Sequence, residues 1–219
     1  MQRTIAILPV KSFGAAKQRL GGLVEPEARS ILARAMLADV LAALTEVPAI
    51  EEVAIVTANS LAEDLSVKPR VRVLSDGHEN GQSAAALIGI NHARQQGFGR
   101  ALLVPGDAPL LDPAEVSALL GHTESLVIVP DRHGAGTNGL LMSPVGVIEP
   151  AFGPGSRTRH EARARAAGVG YAIDPLPSLI LDVDTPYDLE AITRALEARG
   201  GAAPATREAL RRLSLTPAS

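Results

Sequence analysis

Short apolar runs and helical patterns alternate along most of this 219-residue chain, and that rhythm leaves few folds open. A strand-like run from Thr4 to Val10 precedes a helical pattern from Pro26 to about Thr45, then Val53 to Thr57 and a short helix from Leu61. A strand at Val71 to Leu74, a helix from Ser83 to about Gln96 and a strand at Ala101 to Val104 repeat the theme. Pro113 to Leu120 reads as a helix capped by Asp112, with Glu115 closing the box. Strand, helix, strand in succession calls for parallel strands buried on both faces and covered by helices. The rhythm then breaks. Leu126 to Pro130 and Gly139 to Met142 are strands joined by a loop with no helix, which predicts an antiparallel insertion. A helix from Arg157 to Ala167, strands near Gly170 to Ile173 and Leu179 to Leu181, and a helix from Pro186 to Arg199 follow. The expected fold is α/β: a three-layer sandwich around a mostly parallel mixed sheet, with ligands at the carboxyl ends of the strands.

At roughly 100 to 200 residues per domain, the length fits one large domain or two small ones. No linker-like stretch precedes Gly200, so residues 1–199 are expected to form a single domain. Residues 200–219, rich in Ala, Gly and Pro around one short basic helical turn, are expected to be a loosely held tail. With no cysteine, disulfides, thiolate metal sites and cysteine nucleophiles are excluded, which fits a reducing cytoplasm. No apolar run approaches the roughly 20 residues that span a bilayer, and the start lacks a signal-peptide pattern; the expectation is a cytoplasmic protein with no membrane partner. A net charge of -3 with scattered Lys and Arg, and only three Phe, two Tyr and no Trp, argues against a nucleic-acid partner.

Two apolar runs end on carboxylates. Leu102-Leu103-Val104-Pro105-Gly106-Asp107 is a buried-type strand that turns at a glycine, presents one Asp and is stopped by Pro109. Magnesium takes one or two protein carboxylates and fills its other positions with phosphates and water, so a strand-end Asp suits a metal-bound nucleotide. A turn Asp bonding its own backbone is the plain alternative. In Leu179-Ile180-Leu181-Asp182-Val183-Asp184-Thr185-Pro186-Tyr187-Asp188 a second run stops at an Asp just before a helix. Thr185 reads as its N-cap, Pro186 as its first residue and Asp188 as the partner in a capping box. In an extended segment Asp182 and Asp184 share a side, so either could face the site, and Asp184 is preferred because it lies at the strand end.

The first strand feeds a small-residue loop carrying Lys11, Lys17 and Arg19, in which backbone amides and cations suit a polyphosphate without matching the Walker pattern. Gly134-Ala135-Gly136-Thr137-Asn138-Gly139 matches a dinucleotide fingerprint but is followed by a strand-like run, where the fingerprint requires a helix. Thr137 and Asn138 read better as polar groups on a flexible loop over the site. Phe152-Gly153-Pro154-Gly155-Ser156-Arg157-Thr158-Arg159-His160 combines glycines, a candidate N-cap serine and a helix start. Its three basic residues oppose the dipole preference for acids there, which favours an anionic ligand. The five histidines have no metal spacing.

The ordered motifs resemble the guanylyltransferases that act on 2-phospho-L-lactate or phosphoenolpyruvate in biosynthesis of the deazaflavin coenzyme F-420. The resemblance covers roughly Thr4 to Arg199. It rests on Leu8-Pro9-Val10-Lys11 with Ala16-Lys17-Gln18-Arg19-Leu20, on Pro105 to Leu110, on Gly136-Thr137-Asn138, on Phe152 to His160 and on Asp182 to Leu189. Two positions depart from it: Gly81-Gln82-Ser83 stands where relatives usually carry Gly-Leu-Asn, and Ala108 replaces a common leucine. Gln82 and Ser83 are similar instead to the cytidylyl- and guanylyltransferases for molybdopterin.

The resemblance implies a nucleotide-diphospho-sugar-transferase-like fold and Mg2+ at Asp107 and Asp184. It implies GTP held at Pro9, Val10, Lys11, Lys17, Arg19, Gly81 and Ser83, with Lys17 catalytic alongside the two aspartates. The small phosphorylated acid would sit at Thr137, Gly153 and Ser156. The acceptor's phosphate oxygen would attack the α-phosphorus of GTP, and a phosphate monoester with a second pKa near ~6 needs no general base at neutral pH. The labile product suits hand-over to the next transferase of the F-420 pathway. A molybdopterin or sugar-phosphate nucleotidyltransferase, or a non-catalytic GTP-binding regulator, are the alternatives.

Overall fold

Among residues 2–10, 25–58 and 69–214, which the computed structural model describes, seven strands form one mixed sheet. The strands are β1 (Thr4–Pro9), β2 (Ile50–Thr57), β3 (Val71–Ser75), β4 (Arg100–Leu103), β5 (Leu126–Pro130), β6 (Thr137–Met142) and β7 (Tyr171–Ile173), in the order β3-β2-β1-β4-β6-β5-β7. The helices are α1 (Pro26–Glu46), α2 (Gln82–Gln95), α3 (Pro113–Leu119), α4 (Ser156–Ala166), α5 (Pro186–Ala198) and α6 (Pro204–Ser214). Period-two alternation sorts the apolar strand residues to both faces of the sheet. Ala6 and Leu8 of β1 join a core with Leu37, Leu41 and Val116 of α1 and α3, whereas Ile5 and Ile7 pack with Ala86 and Ile90 of α2. Helices on both faces make the expected sandwich.

β1 pairs in parallel with β2 and β4, β2 with β3, and β5 with β7, whereas β6 runs antiparallel to both β4 and β5. The expected insertion is therefore the single strand β6, which begins at Thr137, two residues before the expected start. Reversal has a consequence for placement: β6 starts at the edge where its neighbours end. Thr137 thereby shares that edge with the turns after Pro9, Leu103 and Pro130.

Three expectations fail, each for a physical reason. Leu179 to Leu181 form no strand; Leu179 N and Ile180 N both donate to Leu176 O, at 3.0 and 3.2 Å. Pro175 and Pro177 remove ladder donors here, and Leu179 buries its side chain against the sheet from a turn. Glu115 closes no capping box: Asp112 caps α3 by accepting from Ala114 N at 2.8 Å, while Glu115 accepts from Ser178 N at 2.9 Å and anchors that turn. Nor, among the described residues, is the stretch after Gly200 a loose tail, because Pro204–Ser214 form α6, which packs on α1. Ala203 and Ala209 are buried in a third cluster with Leu32 and Met36 of α1, Leu110, Val183, and Ile192 and Leu196 of α5. Asp39 of α1 accepts from Ala205 N, Thr206 N and the Thr206 hydroxyl at 3.1, 2.7 and 2.6 Å. A carboxylate from a distant helix thus satisfies amides at the start of α6. The short helix expected from Leu61 lies outside the described residues. No described helix is long and apolar enough to cross a membrane.

Candidate active site

The carboxyl edge of the sheet gathers two polar corners on either side of the β1 and β4 ends. The first is acidic. After β4 the chain turns through Pro105-Gly106-Asp107, and a Cβ on Gly106 would lie 3.0 Å from Val10 and 3.2 Å from Leu37, so a larger residue there would press on both side chains. Val183 N donates to Asp107 O at 3.3 Å, stitching the two Asp-bearing segments together. Asp182 carries a pKa pushed up to about 6, first by burial and then by the charge of Asp107, with Asp184 adding to it and the Asn138 amide opposing. Asp107 and Asp184 are therefore close enough to Asp182 to oppose its ionisation. Of the two candidates at 182 and 184, Asp182 is the more buried and Asp184 the exposed one. Asn138 Nδ2 donates to Asp182 Oδ1 at 3.2 Å and to Leu179 O at 2.9 Å.

The helix that follows is fixed as expected. Thr185 and Asp188 form a reciprocal capping box on α5, with Pro186 at its start. Asp188 accepts from Asp184 N, Thr185 N and the Thr185 hydroxyl at 3.1, 2.7 and 2.8 Å, and pairs with Arg132 at 2.5 Å. Burial alone would raise its pKa, but the Thr185 bonds, the Asp184 amide and the Arg132 charge hold it below the usual carboxylate range.

The second corner is built from Thr137 and the turn before α4. Gly153 and Gly155 adopt φ of 109° and 68°, a region that a side chain rarely enters, and Ser156 N closes the turn on Gly153 O at 3.0 Å. Gly155, not Ser156, is the N-cap; Ser156 is the first helical residue and is buried. His160, one turn further along α4, is fully buried and bridges the corner. Ala151 N donates to its Nε2 at 2.8 Å, and its Nδ1 lies 3.0 Å from Thr137 Oγ1. Burial, assisted by the charges of Arg163 and Arg159, lowers its pKa to about 4, so it is neutral at physiological pH. Ring contact with Phe152 at 5.3 Å completes its surroundings.

Basic residues at the start of α4 find partners inside the protein. Arg159 donates to Ala151 O, Phe152 O and Pro154 O, while Arg157 bonds Glu161 and Gly134 O. Carbonyl oxygens thus explain the cations that seemed to call for an anion. Thr137 and Asn138 are also corrected: both are buried at the start of β6, and neither is on a flexible loop. The dinucleotide decoy is followed by a strand, as the sequence requires.

Ser83 links the second corner to the start of α2, since its hydroxyl accepts from Phe152 N at 2.9 Å. Gly81, at φ 92°, caps that helix. Pro9 ends β1, and Val10 N donates to Val56 O at 2.9 Å beside the acidic turn. Lys11, Lys17 and Arg19 lie outside the described residues. Sequence reasoning missed His160 as the link between Thr137 and the Gly153 turn. Its spacing of four from Ser156, which puts both on one helix face, was the available signal.

Comparison with known proteins accords with this geometry. The family model described as "Guanylyl transferase CofC like" matches residues 4–217. A phosphoenolpyruvate guanylyltransferase of Conexibacter woesei is 44% identical over 217 residues, covering 97% of each chain. A 3-phospho-D-glycerate guanylyltransferase of Phenylobacterium zucineum is 35% identical, covering 86% of this chain and 89% of its own. Among solved structures, a candidate nucleotide-diphospho-sugar transferase from Desulfovibrio desulfuricans G20 superposes with a TM-score of 0.75 at 19% identity, covering 98% of each chain. A 4-diphosphocytidyl-2C-methyl-D-erythritol synthase gives 0.63 at 17% identity, covering 90% of this chain and 99% of its own. The sheet, the paired corners and the near full-length family match converge: this chain belongs to the CofC-like guanylyltransferases.

Proposed function

We propose that this guanylyltransferase moves GMP from GTP onto the phosphate of phosphoenolpyruvate, releasing pyrophosphate, as a step toward coenzyme F-420. The observation that carries the reading is the juxtaposition of the two corners. Gathered carboxylates at Asp107, Asp182 and Asp184 suit a cation, and the Thr137, Gly153 and Ser156 corner is tied through Ser83 to the start of α2. The choice of acceptor follows the relative that is 44% identical.

Asp182, whose carboxyl is pushed up to about 6 first by burial and then by the charges of Asp107 and Asp184, belongs to a hard-oxygen donor set of the kind that suits Mg2+. Asp107 and Asp184, with Asp182 beside them, are the residues that would hold it; bound there, Mg2+ would offset charge on the triphosphate. In this reading Pro9, Val10, Gly81 and Ser83 bind GTP, and Lys11, Lys17 and Arg19 supply positive charge for its phosphates.

The acceptor's phosphate oxygen attacks the α-phosphorus, the bond to the bridging oxygen of the β-phosphate breaks, and pyrophosphate leaves with that electron pair. No protein nucleophile takes part, and the acceptor dianion brings its own lone pair. What the chain supplies is alignment and charge compensation. The labile product is passed to the next transferase of the pathway.

A grid of GTP, ATP, CTP and UTP against phosphoenolpyruvate, 2-phospholactate, 3-phosphoglycerate and sugar phosphates tests the reading by product mass. The expected mass is that of GMP joined to phosphoenolpyruvate through a diphosphate (phosphoanhydride) linkage. Turnover with a sugar phosphate alone, or GTP binding without pyrophosphate release, would overturn it. A product with 3-phosphoglycerate is the second reading, favoured by the 35% identical relative of that name.

A further inference from the structure

A backbone N–H can only donate, so the Ala151 amide at 2.8 Å makes Nε2 of His160 an acceptor. In the neutral ring the proton then resides on Nδ1 and points along the 3.0 Å contact to Thr137 Oγ1, which must accept it. Among the described residues this is the one hydrogen bond of the Thr137 side chain, so the hydroxyl's own hydrogen is left to point elsewhere. We infer that His160 is a positioning residue: it locks the Thr137 hydroxyl as an outward donor toward the anionic oxygens of the acceptor. This rests on the reading of Thr137 as an acceptor-binding residue.

Several features on α4 and around it support that polarity. Arg159 fixes the carbonyls of Ala151, Phe152 and Pro154, so the amide that sets the tautomer is itself immobilised. The charges of Arg159 and Arg163 oppose an imidazolium, which would have to donate from both nitrogens and break the Ala151 contact. The histidine is buried, its ring plane is packed at 75° to Phe152, and the Ala151 and Thr137 contacts assign its two nitrogens. A hydroxyl that accepts from Nδ1 keeps its own O–H to donate on another side. An acceptor bearing anionic phosphate and carboxylate oxygens is the partner that such a donor discriminates for, because a neutral hydroxyl acceptor gains less from it.

Nitrogen-15 spectra of the intact protein read the tautomer directly. At pH 7, Nε2 of His160 should be pyridine-like and Nδ1 pyrrole-like; the opposite pattern or an imidazolium overturns the inference. Kinetics with phosphoenolpyruvate then test the action through Thr137. Thr137→Val and His160→Gln should each raise the KM for phosphoenolpyruvate roughly tenfold, the scale of one charge-assisted hydrogen bond, and leave the KM for GTP unchanged. His160→Gln can still accept from Ala151 N, whereas His160→Asn places its amide near the lost Nδ1. His160→Asn should therefore restore the acceptor KM while melting earlier. The double variant Thr137→Val with His160→Gln should be no worse than either single change. Additive losses, or equal rises in both KM values, would mean that His160 merely holds the turn, and the inference fails. A wild-type acceptor KM in Thr137→Val also defeats it, while pyrophosphate release by the parent protein would leave the proposed reaction standing. If the parent releases no pyrophosphate, the reaction is refuted and the nitrogen spectra still decide the tautomer.

Discussion

The acidic corner and the Thr137 corner sit on one edge of the same sheet, yet they are held in opposite ways. Around Thr137 the polar groups are satisfied from within: His160, Arg157 and Arg159 spend their donors and acceptors on neighbouring backbone and side chains. Around Asp107 like charges are crowded together, and packing holds them there. Leu110 and Val183, which flank the two acidic turns, lie in the cluster that α1, α5 and α6 complete. One corner is knit together by hydrogen bonds; the other gathers carboxylates on packed turns, the arrangement on which the proposed cation site rests.

Removing a carboxylate tests that contrast most severely. Asp107→Asn should lower kcat by roughly 10²–10³, the scale seen when one preorganised electrostatic group is lost. It should also abolish any Mg2+-dependent rise in Tm while leaving the fold intact by circular dichroism. Chelation of the metal should stop turnover in the parent protein equally. Retained turnover in either case would break the comparison, since the acidic corner would then be no cation site.

The packing under that corner provides the next test. Asp39→Ala strips three bonds from the start of α6, at a cost of about 2 kcal/mol for a buried cap with its partners left unpaired. The loss should appear in denaturant unfolding, accompanied by weaker Mg2+ binding, with no change in the nitrogen spectrum of His160. If both corners loosen together, they are not independently held.

These outcomes also bear on what the sequence could reveal. Strand and helix rhythm announced the sheet, and Thr185, Pro186 and Asp188 announced their own capping box, because both depend on residues near one another in the chain. Residues Pro204–Ser214 looked like a tail because their cap is Asp39, whose carboxylate comes from 166 residues away. Leu179 to Leu181 read as a strand because a short buried apolar run has no period to distinguish it from a turn. Around Thr137 the residue types were visible, but the bond that orients them joins β6 to α4 across 23 positions. Non-local hydrogen bonding is what local pattern cannot carry.

Acid should act on the Thr137 corner through His160. Its folded pKa of about 4 lies below the ordinary histidine value near 6.5, so its contribution is complete above pH ~6.5 and is lost as the pH falls toward 4. Over that window the parent should lose on the order of 3 kcal/mol, since each pKa unit corresponds to about 1.4 kcal/mol. His160 faces Arg159 and Arg163 on its own helix, and the Ala151 amide and Thr137 hydroxyl from the packed segments, so no carboxylate there reverses the sign. His160→Gln should flatten this part of the stability profile. An unchanged slope would show that some other group carries it.

The Arg132 to Asp188 pair joins the loop beside Thr137 to the helix that follows Asp184, so it is a place where the two corners can be uncoupled gently. Arg132→Gln leaves Asp188 its bonds from Asp184 N, Thr185 N and the Thr185 hydroxyl, and the cost at neutral pH should be only about 1 kcal/mol. Because the folded pKa of Asp188 is depressed, the pair contributes fully above the ordinary carboxylate value of about 4 and fades as the pH drops through the folded one. Parent and variant unfolding curves should therefore differ at pH 7 and converge in acid. A difference that persists well below pH ~3 would place the role of Arg132 in packing its stem, not in its charge.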